Sequence, residues 1–176
     1  MSVPLIELFR ASRRREMAAG EFLFHRDDPV RWMFLVIEGE IRLLRYQENG
    51  EPVILQRARD DEIPAEASLY SHSYHCDAIA ATDCRLLAVP KAAFHQRLKD
   101  DPGLYDAWSG GLAREVQRGR QRSEILTLRT VSQRLDAWLT WNRDLPPKGR
   151  WLRLAQEIGV SAEALYREIA RRRGRR

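Results

Sequence analysis

Trp32-Met33-Phe34-Leu35-Val36-Ile37-Glu38-Gly39-Glu40-Ile41-Arg42-Leu43-Leu44-Arg45-Tyr46-Gln47-Glu48-Asn49-Gly50-Glu51-Pro52-Val53-Ile54-Leu55 carries three apolar runs divided by two turn signals. The runs are short and rich in residues that suit a pleated surface, so they read as strands. Glu38-Gly39-Glu40 supplies one turn, and Asn49-Gly50 is the dipeptide most strongly tied to a hairpin. Outward from this centre, Glu21-Phe22-Leu23-Phe24 reads as an earlier strand closed by the turn Arg26-Asp27-Asp28-Pro29. Strand-like stretches continue to Pro90 with no helical stretch between them, which predicts an antiparallel barrel or jelly roll.

Beyond Pro90 the periodicity changes. Ala92 to Lys99 reads as a short helix, and a longer one is expected after Asp101-Pro102, with Asp101 as N-cap and Pro102 at the first helical position. Leu104, Trp108, Leu112 and Val116 recur every four residues and form one apolar stripe, opposite Arg114, Arg118, Arg122 and Glu124. Gly110, Gly111 and Gly119 each cost about 1 kcal/mol there relative to alanine; they suit either a close approach of two helices or a break. A further helix is expected from Thr130 to Trp141, then a connector over Asp144 to Gly149. Trp151 to Ile158, the turn Gly159-Val160-Ser161 and Ala162 to Arg172 give helix, three-residue turn, helix, the DNA-binding supersecondary pattern. Gly159 can adopt the left-handed conformation that ends a helix, Ser161 caps the next, and Ala155 is small where the helices cross. Leu165 and Ile169 are expected in that domain's core with Leu152, Leu154 and Ile158.

The charge is unevenly placed. Residues 147–176 hold nine basic and three acidic side chains, a net of +6 against +5 for the whole chain. That placement predicts a polyanion-binding module at this end, with a solubilising basic tail as the alternative for Arg171 to Arg176. No run of roughly 18 apolar residues exists to span a membrane, and Met1-Ser2-Val3-Pro4 lacks a secretory pattern. Cys76 and Cys84 form no CxxC pair and no disulfide framework. A cytoplasmic protein is expected.

These pieces, in this order, resemble the cyclic-AMP receptor/FNR (Crp/Fnr) family of transcription regulators over essentially the whole chain. The motifs are Gly20 to Pro29, Val36 to Arg42, Asn49-Gly50-Glu51, and Thr82-Asp83-Cys84-Arg85-Leu86-Leu87-Ala88-Val89-Pro90. Two turn glycines of the family are replaced by Asp27 and Asp61, residues that tolerate left-handed turns. The implied fold is α+β: an antiparallel β-roll of the cyclic-nucleotide-binding type (residues 1–100), a long dimerisation helix and hinge (101–128), and a small helix-turn-helix domain (129–176). The chain ends at Arg176, so no β-hairpin wing is expected after the last helix.

The resemblance also frames the effector region. Cyclic-nucleotide binders of the family carry Gly-Glu and, about ten residues on, Arg-Ser/Thr; the arginine neutralises the phosphate and the glutamate takes the ribose. Here Ala65-Glu66-Ala67-Ser68 and Tyr74-His75-Cys76 occupy those places. A buried phosphate would lose its charge-assisted partner, with Asp77 nearby to repel it, so cyclic AMP is not expected as the ligand. Glu66, Ala67, Ser68, Tyr74, His75 and Cys76 are the pocket candidates, and the effector is left unknown. His72, His75, Cys76 and Asp77 include haem- or metal-ligand types, but strand alternation puts His75 and Asp77 on one side and Cys76 on the other. No metal site and no cofactor is assigned. An FNR-type iron–sulfur cluster needs four cysteines, and the chain has two.

For the helix-turn-helix, the resemblance places Glu163 and Arg167 at base-reading positions, with Ala162 in place of a third family arginine. Four residues apart, they share one helical face; arginine can bond bidentately to guanine and glutamate can accept from cytosine. Ser161, Tyr166, Arg171, Arg172 and Arg173 are candidates for phosphate contacts. The implied function is a homodimer, paired through Leu104, Trp108, Leu112 and Val116, that binds double-stranded DNA at a pseudo-palindromic site, with RNA polymerase as a further partner to consider. The alternative is a ligand- or redox-sensing roll acting through a protein partner. No phosphate loop, HExxH or Gly-x-Ser-x-Gly motif is present, and no catalytic residue is assigned.

Overall fold

The computed structural model describes residues 6–9 and 11–174; Met1 to Pro4 and the terminal Arg175 and Arg176 lie outside them. The chain divides into two compact units, residues 1–112 and 113–176.

In the first unit, β1 (Arg13–Met17), β7 (Cys84–Pro90) and β3 (Trp32–Glu38) form one antiparallel sheet in the order β1-β7-β3. β2 (Phe22–Phe24), β6 (Asp77–Ala80), β4 (Ile41–Tyr46) and β5 (Pro52–Ala58) form the second, in the order β2-β6-β4-β5. Side chains from both sheets meet in one core, including Met17, Phe34, Val36, Leu86 and Ala88 from the first and Leu23, Phe24, Ile41, Leu43, Ala78 and Ala80 from the second. This is the expected β-roll.

The unbroken apolar run of β3 has a physical cause: the strand is buried on both faces. Phe34 and Val36 enter the inter-sheet core. Met33 and Leu35, pointing the other way, meet Phe94 and Leu98 of α1 (Lys91–Asp100) together with Leu8, Phe9 and Trp108. Asp27 (φ 68°) and Asp61 (φ 65°) adopt the left-handed conformation that their turns require. Gly39 is obligatory, because at its φ of +100° a Cβ would lie 2.4 Å from the Asp83 carbonyl oxygen. β1 was not foreseen: Arg13-Arg14-Arg15-Glu16 is polar throughout, and only pairing with β7 reveals it as an edge strand.

α2 spans Pro102–Thr127. The Asp101 carboxylate accepts from the Leu104 amide at 3.1 Å, the expected cap, and the helix continues through Gly110, Gly111 and Gly119. In the second unit, α3 (Val131–Asn142) opens with a capping box between Thr130 and Gln133. α4 (Trp151–Glu157) and α5 (Ala162–Arg173) flank Gly159, whose φ is +66°. Ser161 Oγ accepts from the Ala164 amide at 3.1 Å. Ile125, Leu135, Trp151, Leu154, Ala155, Ile158, Leu165 and Ile169 make the core. Leu152 is a correction: it is 55% exposed. Trp151, Leu154, Ala155 and Ile158 take the i, i+3, i+4, i+7 inner stripe of the short α4, and Leu152 falls outside it.

Candidate nucleic-acid interface and effector region

α5 separates its residues cleanly by face. Leu165, Glu168 and Ile169 are buried. Glu163, Tyr166, Arg167 and Ala170, at i, i+3, i+4 and i+7, are exposed. Glu163 and Arg167 form neither an ion pair with each other nor a side-chain hydrogen bond to another described residue, so both polar heads are free. The Tyr166 ring lies tilted against Trp151 with centroids 5.6 Å apart. The Arg173 guanidinium sits over the Trp151 ring at 5.1 Å, a cation–π contact. Ser161 is exposed while capping the helix.

The other two arginines expected at DNA are bound within the chain. Arg171 grips Glu168 through Nε at 2.9 Å and Nη2 at 2.8 Å. Arg172 donates to Glu168 at 2.7 Å, to Asp136 Oδ1 at 2.7 Å and to the Ser132 carbonyl at 3.0 Å. The hydrogen bond from Arg171, with help from Arg172 and Ser132 and against the effect of burial, lowers the Glu168 pKa to about 2. This network staples the C-terminal half of α5 to α3.

In the β-roll, Ala65 stands at φ 54°, in the left-handed region that glycine would occupy without strain. The short 3-10 turn Glu66–Tyr70 follows it. Gln56 of β5 bridges the start of this turn, accepting from the Ala65 amide at 3.1 Å and donating to Glu66 at 2.7 Å. Ala67 is exposed. Ser68 is 1% exposed, and its hydroxyl has no hydrogen-bond partner among the described residues. Tyr74 is 5% exposed in the inter-sheet core. Its ring lies on Phe24 with centroids 3.5 Å apart and planes 5° from parallel, and its hydroxyl donates to the Trp32 carbonyl at 3.0 Å. Burial raises its pKa.

Alternation continues along 74–76. His75 faces outward while Cys76 is buried, and burial raises the Cys76 pKa above its usual value, which disfavours a reactive thiolate. Tyr74 and Cys76 thus join Ala65 in one apolar cluster, and His75 stands apart. The Arg45 guanidinium donates to the His75 carbonyl at 2.8 Å.

Two constellations lie outside the expected site residues. Glu40 is buried and receives Arg42 Nε at 2.6 Å, Arg57 Nη1 at 2.8 Å and Arg59 Nε at 2.7 Å. Burial alone would raise its pKa, but the hydrogen bonds from Arg42, Arg59 and Arg57 outweigh this and hold it at about 2. Arg42 and Arg57 are directly opposed across β4 and β5, so Glu40 neutralises a like-charge pair that would otherwise weaken the sheet. The second is Arg134 of α3, bound to four main-chain carbonyls.

On α2, Trp108 is 3% exposed and lies edge-on to Phe94, with centroids 5.1 Å apart. Leu104 and Leu112 are half-buried against the same core. Val116 is 53% exposed. The four-residue stripe therefore serves the chain's own core at Trp108 and leaves it at Val116.

The protein-family comparison matches the cyclic nucleotide-binding domain over residues 14–101. Among curated proteins, the global nitrogen regulator of Nostoc sp. is 27% identical over 142 residues, covering 71% of this chain and 63% of that protein. The nitrogen fixation regulation protein FixK of Bradyrhizobium diazoefficiens is 26% identical over 136 residues, covering 77% of this chain and 56% of that one. The chain thus spans about 55 to 63% of the length of the first curated relatives it matches. The structure of FixK2 from Bradyrhizobium japonicum has the same fold, with a TM-score of 0.68 at 16% identity over 93% of this chain and 85% of that one. With its β-roll and this match, the chain belongs to the cyclic nucleotide-binding domain family, and the relatives it resembles are Crp/Fnr regulators.

Proposed function

We propose that this protein is a DNA-binding transcription regulator that reads a pseudo-palindromic duplex site as a homodimer. The observation that carries this reading is the outward face of α5, where Glu163 and Arg167 are exposed and unpaired. The alternative at this spacing is a surface salt bridge between them. Left free, Arg167 is available to a guanine edge and Glu163 to a cytosine amino group. Tyr166 and Ser161 flank them as candidates for phosphate contacts. Arg171 and Arg172 act mainly to hold α5 in place.

Dimerisation through α2 is supported by a second seam, which shares Leu112 and Val116 with the four-residue stripe. Tyr105, Leu112, Gly119 and Leu126 recur every seven residues, with Val116 and Ser123 interleaved, the period of a left-handed coiled pair. Tyr105, Val116 and Leu126 are large apolar side chains left exposed. Two copies paired in this way would present two reading helices to successive major grooves about 34 Å apart.

The roll is read as a regulatory module that does not take cyclic AMP. Tyr74, stacked on Phe24, fills the place where the family resemblance puts the phosphate-binding arginine. The test is Arg167→Glu. Charge reversal at a base-reading position is expected to lower specific affinity by about 100-fold or more, with the dimer intact by sedimentation. Unchanged affinity would remove Arg167 from the reading face.

A further inference from the structure

Arg134 lies in the first turn of α3, and its guanidinium reaches backbone on two sides. Nε donates to the Leu128 carbonyl at 2.8 Å and Nη2 to the Leu126 carbonyl at 3.2 Å, both where α2 ends. Nη1 donates to the Ile158 carbonyl at 3.1 Å and the Gly159 carbonyl at 2.7 Å, at the turn that leads into α5. Carbonyls at a helix terminus have no intrahelical partner, and one planar fork here supplies donors to two such ends at once. Only guanidinium has the fixed multi-donor geometry for this; an ammonium is a compact point charge on a flexible stem.

A second contact lies beside the first. A Cβ on Gly159 would sit 2.4 Å from Leu126 Cδ2 and 3.2 Å from Arg134 Nη1. Leu126, at the end of α2, is therefore in contact with the helix-turn-helix turn, and an added methyl group at Gly159 would have to displace its side chain. Leu128, Arg129 and Thr130, which join α2 to α3, are bridged by the Arg134 side chain of α3, which binds the Leu126 and Leu128 carbonyls at the start of this segment. Upstream the helix is different: every residue from Ala113 to Glu124 except the half-buried Gln121 is exposed.

We propose that Arg134 is a positioning residue for DNA reading, its guanidinium fork locking the end of α2 to the turn before α5 so that the two move as one body. A rotation of the α2 terminus then reaches Glu163 and Arg167 without loss in the connecting segment. This rests on the DNA-reading proposal for α5, and the test separates the two.

The experiment uses the full chain as wild type, Arg134→Met and Arg134→Lys, the lysine variant retaining stem and charge as a check on folding. Hydrogen exchange needs no DNA. Both variants are expected to lose protection together at the Leu128 and Val160 amides, by about tenfold, while amides of β3 are unchanged. Binding is then measured to the duplex that wild type selects from a randomised library, and to the same duplex respaced by one base pair. The affinity ratio between the two is expected to fall by about fivefold or more in both variants. Protection at Val160 equal to wild type, an unaltered spacing ratio, or full rescue by lysine overturns the fork as the positioning element. If wild type selects no duplex, the DNA reading of α5 fails, and the exchange result still decides whether Arg134 couples the two segments.

Discussion

The interior of the β-roll and the outer face of α5 treat their polar and aromatic side chains in opposite ways. In the roll, Tyr74 is turned onto the chain itself, stacked on Phe24 and hydrogen-bonded to Trp32. On α5, Glu163 and Arg167 are turned away from the chain and left without internal partners. A side chain satisfied inside its own fold contributes to stability. One left exposed and unpaired contributes little to stability and is free to bind. Arg171 and Arg172 sharpen the contrast, because they share the helix with Arg167 and yet belong to the first class through Glu168, Asp136 and Ser132.

The largest effect expected from this contrast is at Tyr74. Tyr74→Ala removes a buried aromatic ring and one face of a stack, and should lower the unfolding free energy by about 3–5 kcal/mol in urea titrations. Arg167→Glu, at an exposed position without partners, should change stability by no more than about 0.5 kcal/mol. A cost below about 1 kcal/mol for Tyr74→Ala would mean that the roll is not filled by this ring. A comparable stability loss from Arg167→Glu would mean that its face is not free.

A smaller effect is expected at Glu40. Glu40→Gln removes the carboxylate that separates Arg42 from Arg57, and because the arginines are partly solvated the cost at neutral pH should be about 2 kcal/mol. The folded-state pKa of Glu40 is lowered to about 2 from an ordinary 4.5. Its contribution is therefore complete above pH 4.5 and is lost as pH falls towards 2. Wild type and Glu40→Gln should converge in stability across that window when unfolding is followed by circular dichroism. A constant gap between them would show that the ionised carboxylate is not the stabilising group.

Much of this architecture was legible in the residues. The apolar runs around Glu38-Gly39-Glu40 and Asn49-Gly50 became strands, and Asp27 and Asp61 adopted left-handed turns, because those signals are local. Alternation separated His75 from Cys76, but which of them faces inward, and that Tyr74 is buried while His75 is exposed, is fixed only by packing against the rest of the roll. What was not legible depends on distant partners. An apolar stripe on a helix does not reveal what covers it, and Trp108 proved to belong to the core with Phe94. Arg171 and Arg172 read as free charges because Asp136 and Ser132 lie far away in sequence. Arg134 carried no signal, since four backbone carbonyls leave no residue pattern. Glu40 could have been found: Glu40, just before β4, is two residues from Arg42, and Arg59, just past β5, is two from Arg57, so each pair shares a face where the chain is extended.

The most direct test of the account is selection from a randomised duplex library by the purified full chain at near-physiological salt. The account predicts an inverted repeat whose half-site centres lie about one helical turn apart, bound with an affinity that falls steeply as salt rises. Recovery of no specific sequence, with no salt-dependent binding to any duplex, would contradict it and leave the exposed face of α5 to another partner.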